Sequence, residues 1–263
     1  MAKTAIVTGG SSGIGRALAV ELLRLGVDVT IADIADADST ARELGCAGAR
    51  LDVTDAAAVE DLVRGVKADR GRLDFLFNNA GIVVAGRTDE LTLDHWNRMI
   101  DVNLRGVVHG VHAAYPIMVE QGYGYIVNTA SLAGLIPAPL MLPYTTTKHA
   151  VVGLTLALRV EAAAHGVKVS AICPGFVDTP LLDHANPGLP QTEIGRLAKT
   201  IGARVQKRLY PPDAVARDVI RGMERGRALI VMPSFARRAW SLVRLSPDLA
   251  VRVTRQAARR ALP

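Results

Sequence analysis

Tyr144 and Lys148 stand four residues apart in Tyr144-Thr145-Thr146-Thr147-Lys148, thirteen residues after Ser131. A helix places positions i and i+4 on one face, so a phenol and an ammonium can share one cavity. A neighbouring cation favours the phenolate and is expected to lower the tyrosine from its ordinary value of about 10. Such a pair is a general acid/base for exchanging a proton with an alcohol near neutral pH. Any helix surface can carry the pair by accident, and the glycine-rich opening of the chain changes those odds.

The first apolar run leads into Thr8-Gly9-Gly10-Ser11-Ser12-Gly13-Ile14-Gly15. Glycines suit this turn because a side chain would hold the backbone away from a pyrophosphate, whose charge is favoured by a helix N-terminus. The spacing Gly-x-x-x-Gly-x-Gly is a close variant of the dinucleotide-binding fingerprint; alone, it is equally an ordinary glycine-rich turn. Its context fits a nucleotide site: a strand before, a helix after, and Asp33 closing the second strand, eighteen positions beyond Gly15. A carboxylate there can accept both adenosine-ribose hydroxyls and repels a 2′-phosphate. No Arg or Lys stands beside Asp33 or at Ser12 to compensate, so NAD is expected over NADP. The bland account of Asp33 is a solvated strand-end carboxylate.

These residues need a scaffold, and short apolar runs alternating with longer helix-period segments supply one. The pattern is that of βαβ units around a parallel sheet buried on both faces. Strands are predicted near Thr4–Thr8, Asp28–Asp33, Ala49–Asp52, Phe75–Asn78, Tyr125–Thr129, Lys168–Cys173 and Ala228–Val231. Helices are predicted at Gly13–Leu25, Asp55–Asp69, one long helix within Leu91–Glu120, Tyr144–His165 and Pro212–Glu224. With 263 residues, 49% of them hydrophobic, one large α/β core is expected. The only boundary follows Met232-Pro233-Ser234. Residues 1–233 read as a dinucleotide-binding catalytic domain and 234–263 as a basic amphipathic extension.

The net charge of +6 does not indicate nucleic acid, because it resides in that extension: beyond Phe235, seven arginines face only Asp248. No interleaved aromatic platform accompanies them, so no nucleic-acid partner is expected. Cys46 and Cys173 lie far apart without a metal-ligand spacing, and the six histidines form no ligand constellation. With no leader and no spanning-length apolar run, a soluble cytoplasmic protein is expected.

At this point the chain resembles the short-chain dehydrogenase/reductase family across Lys3 to Met232. The resemblance rests on Thr8-Gly9…Gly13-Ile14-Gly15, Asp52-Val53, Asn78-Asn79-Ala80-Gly81, Asn103, Ser131, Tyr144…Lys148 and Pro174-Gly175, seven features in the family's order. It implies a Rossmann-type doubly wound sheet of seven parallel strands, a nicotinamide cofactor and carbonyl/alcohol redox chemistry. Carried over, Tyr144 is similar to the catalytic acid/base and Ser131 to the donor that holds the substrate oxygen. Lys148 resembles the residue that binds the nicotinamide-ribose hydroxyls and lowers the Tyr144 pKa. Asn103 resembles the fourth member, whose backbone holds a water linking Lys148 to solvent. Asp52 with the Val53 backbone resembles the adenine contact, and Asn79-Ala80-Gly81 the turn by which the fourth strand meets the cofactor. Asn78 and Asn79 equally fit a structural turn. Pro174-Gly175-Phe176-Val177-Asp178-Thr179 resembles the loop that holds the carboxamide through the Val177 backbone and the Thr179 hydroxyl.

Two segments are expected to border the substrate. Leu132–Pro143 contains no ionisable group, which favours an apolar secondary alcohol or ketone; its bland account is core or subunit packing. Pro180–Tyr210, with Asn186-Pro187-Gly188, reads as a flexible lid, and His184 as a solvated residue or a substrate contact. In the extension, Ser234 and Ser246-Pro247-Asp248 mark two helix starts. Arg252, Arg255 and Arg259 form one stripe of the second helix, and Leu249, Val253 and Ala257 another. Packing of the apolar stripe is expected, with contact on an anionic membrane surface as the alternative. The leading reading is an NAD-dependent dehydrogenase of a lipophilic secondary alcohol or ketone, working as a homo-oligomer, dimer or tetramer. The competitors are an NADPH-dependent carbonyl reductase of the same fold and a non-catalytic nucleotide-sensing protein.

Overall fold

The computed structural model describes residues 2–261, and the side chains of residues 2–256. Its strands are β1 (Thr4–Thr8), β2 (Asp28–Asp33), β3 (Ala47–Arg50), β4 (Phe75–Asn78), β5 (Gly124–Thr129), β6 (Val167–Pro174) and β7 (Leu229–Met232). They pair in parallel as one seven-stranded sheet in the order β3-β2-β1-β4-β5-β6-β7. The chain winds outward from β1 to β3, then returns to place β4 on the other flank of β1. That reversal opens a crevice above the carboxyl ends of β1 and β4, where such sheets bind ligands.

The helices are α1 (Gly13–Arg24), α2 (Ala37–Leu44), α3 (Ala56–Arg70), α4 (Leu93–Ile100), α5 (Gly106–Gln121), α6 (Leu142–Ala162), α7 (Glu193–Arg196), α8 (Ala198–Gln206), α9 (Pro212–Glu224), α10 (Ser234–Leu245) and α11 (Pro247–Ala261). On one face, Leu18 and Leu22 of α1 and Val215 and Val219 of α9 close over Val7, Val29 and Ile230. On the other, Val59 and Val63 of α3, Met118 of α5 and Leu158 of α6 cover Ile6, Leu76 and Ile126. Burial on both faces explains why the central strands read as unbroken apolar runs.

Several expectations need correction. The edge strand β3 lies two residues before the predicted Ala49–Asp52, because its register is set by pairing with β2 and its own exposure merely alternates. The single helix expected within Leu91–Glu120 is interrupted: a π-helical turn, Asp101–Arg105, joins α4 to α5. Helices α2, α7 and α8 were not predicted; α2 reads as turn-forming in Asp36-Ala37-Asp38-Ser39-Thr40, yet packs Ala41 against Gly48.

The extension forms two helices. Ala236 of α10 is fully buried and packs with Val231, Leu135 and Ile136, joined by Trp240. In α11, Ala250 is buried, whereas Leu249 and Val253 are about half exposed, so the predicted apolar stripe is not the packed face. The Ser246 hydroxyl accepts from the Leu249 amide and so caps α11, while Ser234 makes no capping bond. The rest of the predicted stripes, Ala257 and Arg259, lies outside the described side chains.

Candidate active site

Ser131 leaves the carboxyl end of β5 and opens a 3-10 turn, Leu132–Gly134, its Oγ accepting from the Ala133 amide at 3.1 Å. That turn lies directly on α6. A Cβ on Gly134 would stand 2.5 Å from the Lys148 carbonyl oxygen, so only glycine allows this approach. The turn thereby brings the Ser131 hydroxyl to the Tyr144 phenol, which α6 presents one helical turn before Lys148.

Lys148 is buried, and its Nζ donates to the Thr129 carbonyl at 2.8 Å. Among the described residues this is its single acceptor, although an ammonium carries three donors. It also lines the cleft. The pKa expectation fails here. Burial pushes the Tyr144 phenol above its ordinary value, with the Ser131 hydroxyl pulling it down only in part and Cys173 adding to the rise. The same desolvation lowers Lys148 to about 8. The ammonium sits 5.6 Å from the phenol ring centroid and donates to the Thr129 carbonyl, and desolvation outweighs its pull on the phenol. Burial also pushes the Cys173 thiol up to about 12, keeping it protonated.

Asn103 lies fully buried inside the π-helical turn. Its side chain accepts from the Ile82 amide and donates to the Ile82 carbonyl, both at 2.9 Å, fixing the loop that follows β4 beside Lys148. A π-turn displaces backbone carbonyls from the regular helical ladder, and such turns are frequent at functional sites.

At the crevice, the Thr8 hydroxyl accepts from the Asn79 and Ala80 amides, each at 3.0 Å. The Asn79 side chain donates to the Thr8 and Gly9 carbonyls and accepts from the Thr129 hydroxyl, so it ties together the ends of β1, β4 and β5. Asn78 donates to Asn128, which donates to Thr155, a buried polar ladder across β4, β5 and α6. Both asparagines thus have the structural part in hand. The first turn of α1 has no side-chain cap from Ser12, leaving the amides of Gly13, Ile14 and Gly15 open to an anion, and the buried Ser11 Oγ has no partner among the described residues. Asp33 accepts from the Ser11 amide at 3.0 Å. Burial alone would raise Asp52, but the Thr54 amide and hydroxyl donating to its Oδ1, and Arg98 nearby, hold it below its ordinary value. The His109 ring bonds the Val53 carbonyl at 2.9 Å.

Val177 pairs with Tyr210 as an isolated parallel bridge in which Asp178 and Phe176 make the hydrogen bonds. Among the described residues the Val177 amide and carbonyl have no partner, and in parallel pairing they face away from Tyr210. Thr179 stands beside Gly13, at the start of α1. Pro174 and Gly175 continue from β6, and the Gln206 side chain clamps Phe176 by accepting from its amide and donating to its carbonyl.

One cleft of about 960 Å³ runs past Gly9, Gly13, Asp33, Asp52, Asn79, Ser131, Tyr144, Lys148, Val177 and Thr179. Its far half is walled by Leu132 and the 136–141 stretch, by Leu181, Ile201 and Val205, and by Phe235, Leu242, Val243 and Val253 of the two terminal helices. Both predicted border segments are there, with His184. The expected flexible lid is instead strapped down: Asn186 is fully buried, accepts from the Ala85 amide at 2.9 Å and donates to the Ala85 carbonyl. Thr192 bonds the same carbonyl, and buried His95 reaches the Pro190 carbonyl at 3.0 Å. Asn186, Thr192, His95 and Gln206 carried no sequence signal, because side-chain bonds to distant backbone have no characteristic spacing.

The sheet order, the open glycine turn at the crevice and the Tyr144–Lys148 pair at the cleft define a Rossmann-fold oxidoreductase that binds a nicotinamide dinucleotide. The chain belongs to the short-chain dehydrogenase/reductase family, whose description, short chain dehydrogenase, matches residues 3–189. It is similar to the D-beta-hydroxybutyrate dehydrogenase of Cupriavidus necator, 33% identical over 225 residues covering 83% of this chain and 81% of the relative. It is also similar to the cyclohexanol dehydrogenase of an Acinetobacter species, 38% identical over 188 residues covering 68% and 75%. A solved short chain dehydrogenase/reductase from Burkholderia phymatum, in complex with NAD, matches at TM-score 0.86 and 32% identity over 94% of this chain and 95% of that one.

Proposed function

We propose that the protein exchanges a hydride between NAD(H) and a lipophilic secondary alcohol or the matching ketone, with Tyr144 as acid/base. The carrying observation is the partly buried Tyr144 beside Ser131 and the buried Lys148, where an apolar cleft meets the open turn of α1. When bound, the nicotinamide supplies or takes the hydride. The chain does the rest. The Ser131 hydroxyl holds the substrate oxygen, and Tyr144, whose phenol desolvation pushes up, gives its proton to a ketone and takes it back from an alcohol. Lys148 offers its two spare N–H groups to the ribose hydroxyls, and Asn103 keeps the loop beside it in place. The amides of Gly13, Ile14 and Gly15 receive the pyrophosphate, with Thr8, Gly9 and Ser12 shaping the turn. Asp52, Val53, Ala80 and Gly81 line the adenosine side, and Val177 and Thr179 orient the carboxamide. The Asp33 charge selects NAD over NADP.

Residues 1–233 are the catalytic unit in this reading, and Phe235, Leu242, Val243 and Val253 of the extension complete the substrate wall. Exposed Val108 on α5 and Val160 on α6 support assembly as a homo-oligomer. Exposed Leu245 and Val251 beside arginines without carboxylate partners support peripheral contact with anionic lipid. The free cysteines, Cys46 and Cys173, suit the cytoplasm. Among the described residues no helix is long and apolar enough to cross a membrane.

Tyr144→Phe tests the assignment by removing the transferable proton and little volume. Turnover of an accepted alcohol should fall at least a hundredfold, within the range general acid/base groups contribute, roughly 10²–10⁴. NAD affinity should hold. Parent-like turnover by this variant would end the acid/base assignment.

A further inference from the structure

Arg238 borders both the main cleft and an open face of α10. It stands, exposed, on the lining of the main cleft, and it also lies on a shallow, open face of α10 with Ser234, Arg237, Ser241, Leu242 and Leu245. Those positions follow one helical face at spacings of three and four. The opposite side of α10 is apolar and buried through Ala236.

Charge points the same way. Among the described residues neither Arg237 nor Arg238 has a carboxylate within ion-pair distance, and Arg237 instead donates to the Val231 carbonyl. The carboxylates that line the main cleft are Asp33 and Asp52, both on the nucleotide side. The substrate side is therefore apolar within and cationic at the rim.

We infer that the Ser234-Arg237-Arg238-Ser241 face of α10 is a subsite for an anionic head group, so that the substrate is an amphipathic alcohol or ketone. The apolar body lies in the cleft, the carbinol reaches Ser131 and Tyr144, and a carboxylate or phosphate at the other end meets Arg238. Guanidinium groups suit both head groups, and the two serine hydroxyls add donors to either. This inference rests on the redox reading above for the reacting end, and on Arg238, unpaired among the described residues and lining the apolar cleft, for the head group.

The test uses the full chain with a medium-chain secondary alcohol ending in a carboxylate, and the methyl ester of that same acid. One exposed pair of this kind is worth up to about 1 kcal/mol, roughly a fivefold preference. In low salt the parent should favour the acid in kcat/KM by about that factor, carried in KM. The preference should vanish in Arg238→Gln, survive in Arg238→Lys and invert in Arg238→Glu. Calorimetry with a non-reacting alkanoate against its ester probes the subsite without turnover, so failure of the chemistry and failure of the subsite are distinguishable. An alkyl phosphate run alongside tells a phosphate head group from a carboxylate. A parent that binds alkanoate and ester equally, or an Arg238→Glu variant that still prefers the acid, overturns the inference.

Discussion

Asn186→Ala should loosen the substrate wall without touching the nucleotide side. The Asn186 side chain is fully buried; its oxygen is the partner of the Ala85 amide and its nitrogen reaches the carbonyls of Ala85 and Pro190. Truncation strands the Ala85 amide, and a buried unpaired donor costs about 1–3 kcal/mol. The Ala85 carbonyl keeps the Thr192 hydroxyl, so it adds little. The backbone adds more: residue 186 sits at φ 57°, a region asparagine tolerates and alanine enters at a cost of about 1–2 kcal/mol. Together these amount to roughly 2–5 kcal/mol, exerted on the strap that runs from Asn186 to Thr192. Hydrogen exchange at the Ala85 amide and through α7 should accelerate roughly 30-fold at the least. Substrate KM should rise while NAD affinity holds, since the turn of α1 and Asp33 make no contact with the strap. Asn186→Gly separates the two contributions, because it loses the same hydrogen bonds without the strain, and its effect should be smaller. Exchange and KM both equal to the parent's would show that the strap does not hold the wall.

Three further outcomes follow from the site. Asp33→Asn keeps an acceptor for the Ser11 amide and deletes the charge, so the ratio of NADP to NAD dissociation constants should fall about tenfold; parent-like discrimination would move selectivity elsewhere. Gly134→Ala drives a Cβ toward the Lys148 carbonyl, and displacement of the 3-10 turn should lower kcat about tenfold and stability by about 1–3 kcal/mol; a silent substitution would refute the close approach. Lys148 has a native value of about 8 against about 10.4 unfolded, so the unfolded chain binds more protons between them and parent stability rises with pH across that window. Any stability advantage of Lys148→Met should therefore shrink from pH 8 to 10 in denaturant titrations, and a constant difference would contradict the depressed value.

The sheet was legible because its central strands are buried on both faces: β1, β2 and β4 match their predicted spans to the residue. The residues proposed to react and to hold the nucleotide were singled out mostly by the family resemblance; spacing alone placed Tyr144 and Lys148 a turn apart on one helix and Asp33 at a strand end. What escaped were features set by distant partners. The register of β3 belongs to β2, the break at Asp101–Arg105 follows no apolar period, and the Asn186 strap depends on backbone a hundred positions earlier. The lowered tyrosine was misread for a related reason, because spacing conveys proximity to Lys148 but not how much water both groups lose.

The terminal helices that wall the far half of the cleft give the protein an order of assembly. A ribosome releases the turn of α1, Asp33 and every strand through β6 before α10 exists. At roughly 5–20 residues per second, the eighty or so residues from β6 to Val253 take on the order of 4–16 s to emerge. During that interval the nucleotide half can already be shaped, while Leu135 and Ile136 still lack the cover of Ala236 and Trp240. A nascent chain would thus expose an apolar flank until α10, made after the strands it packs on, covers it.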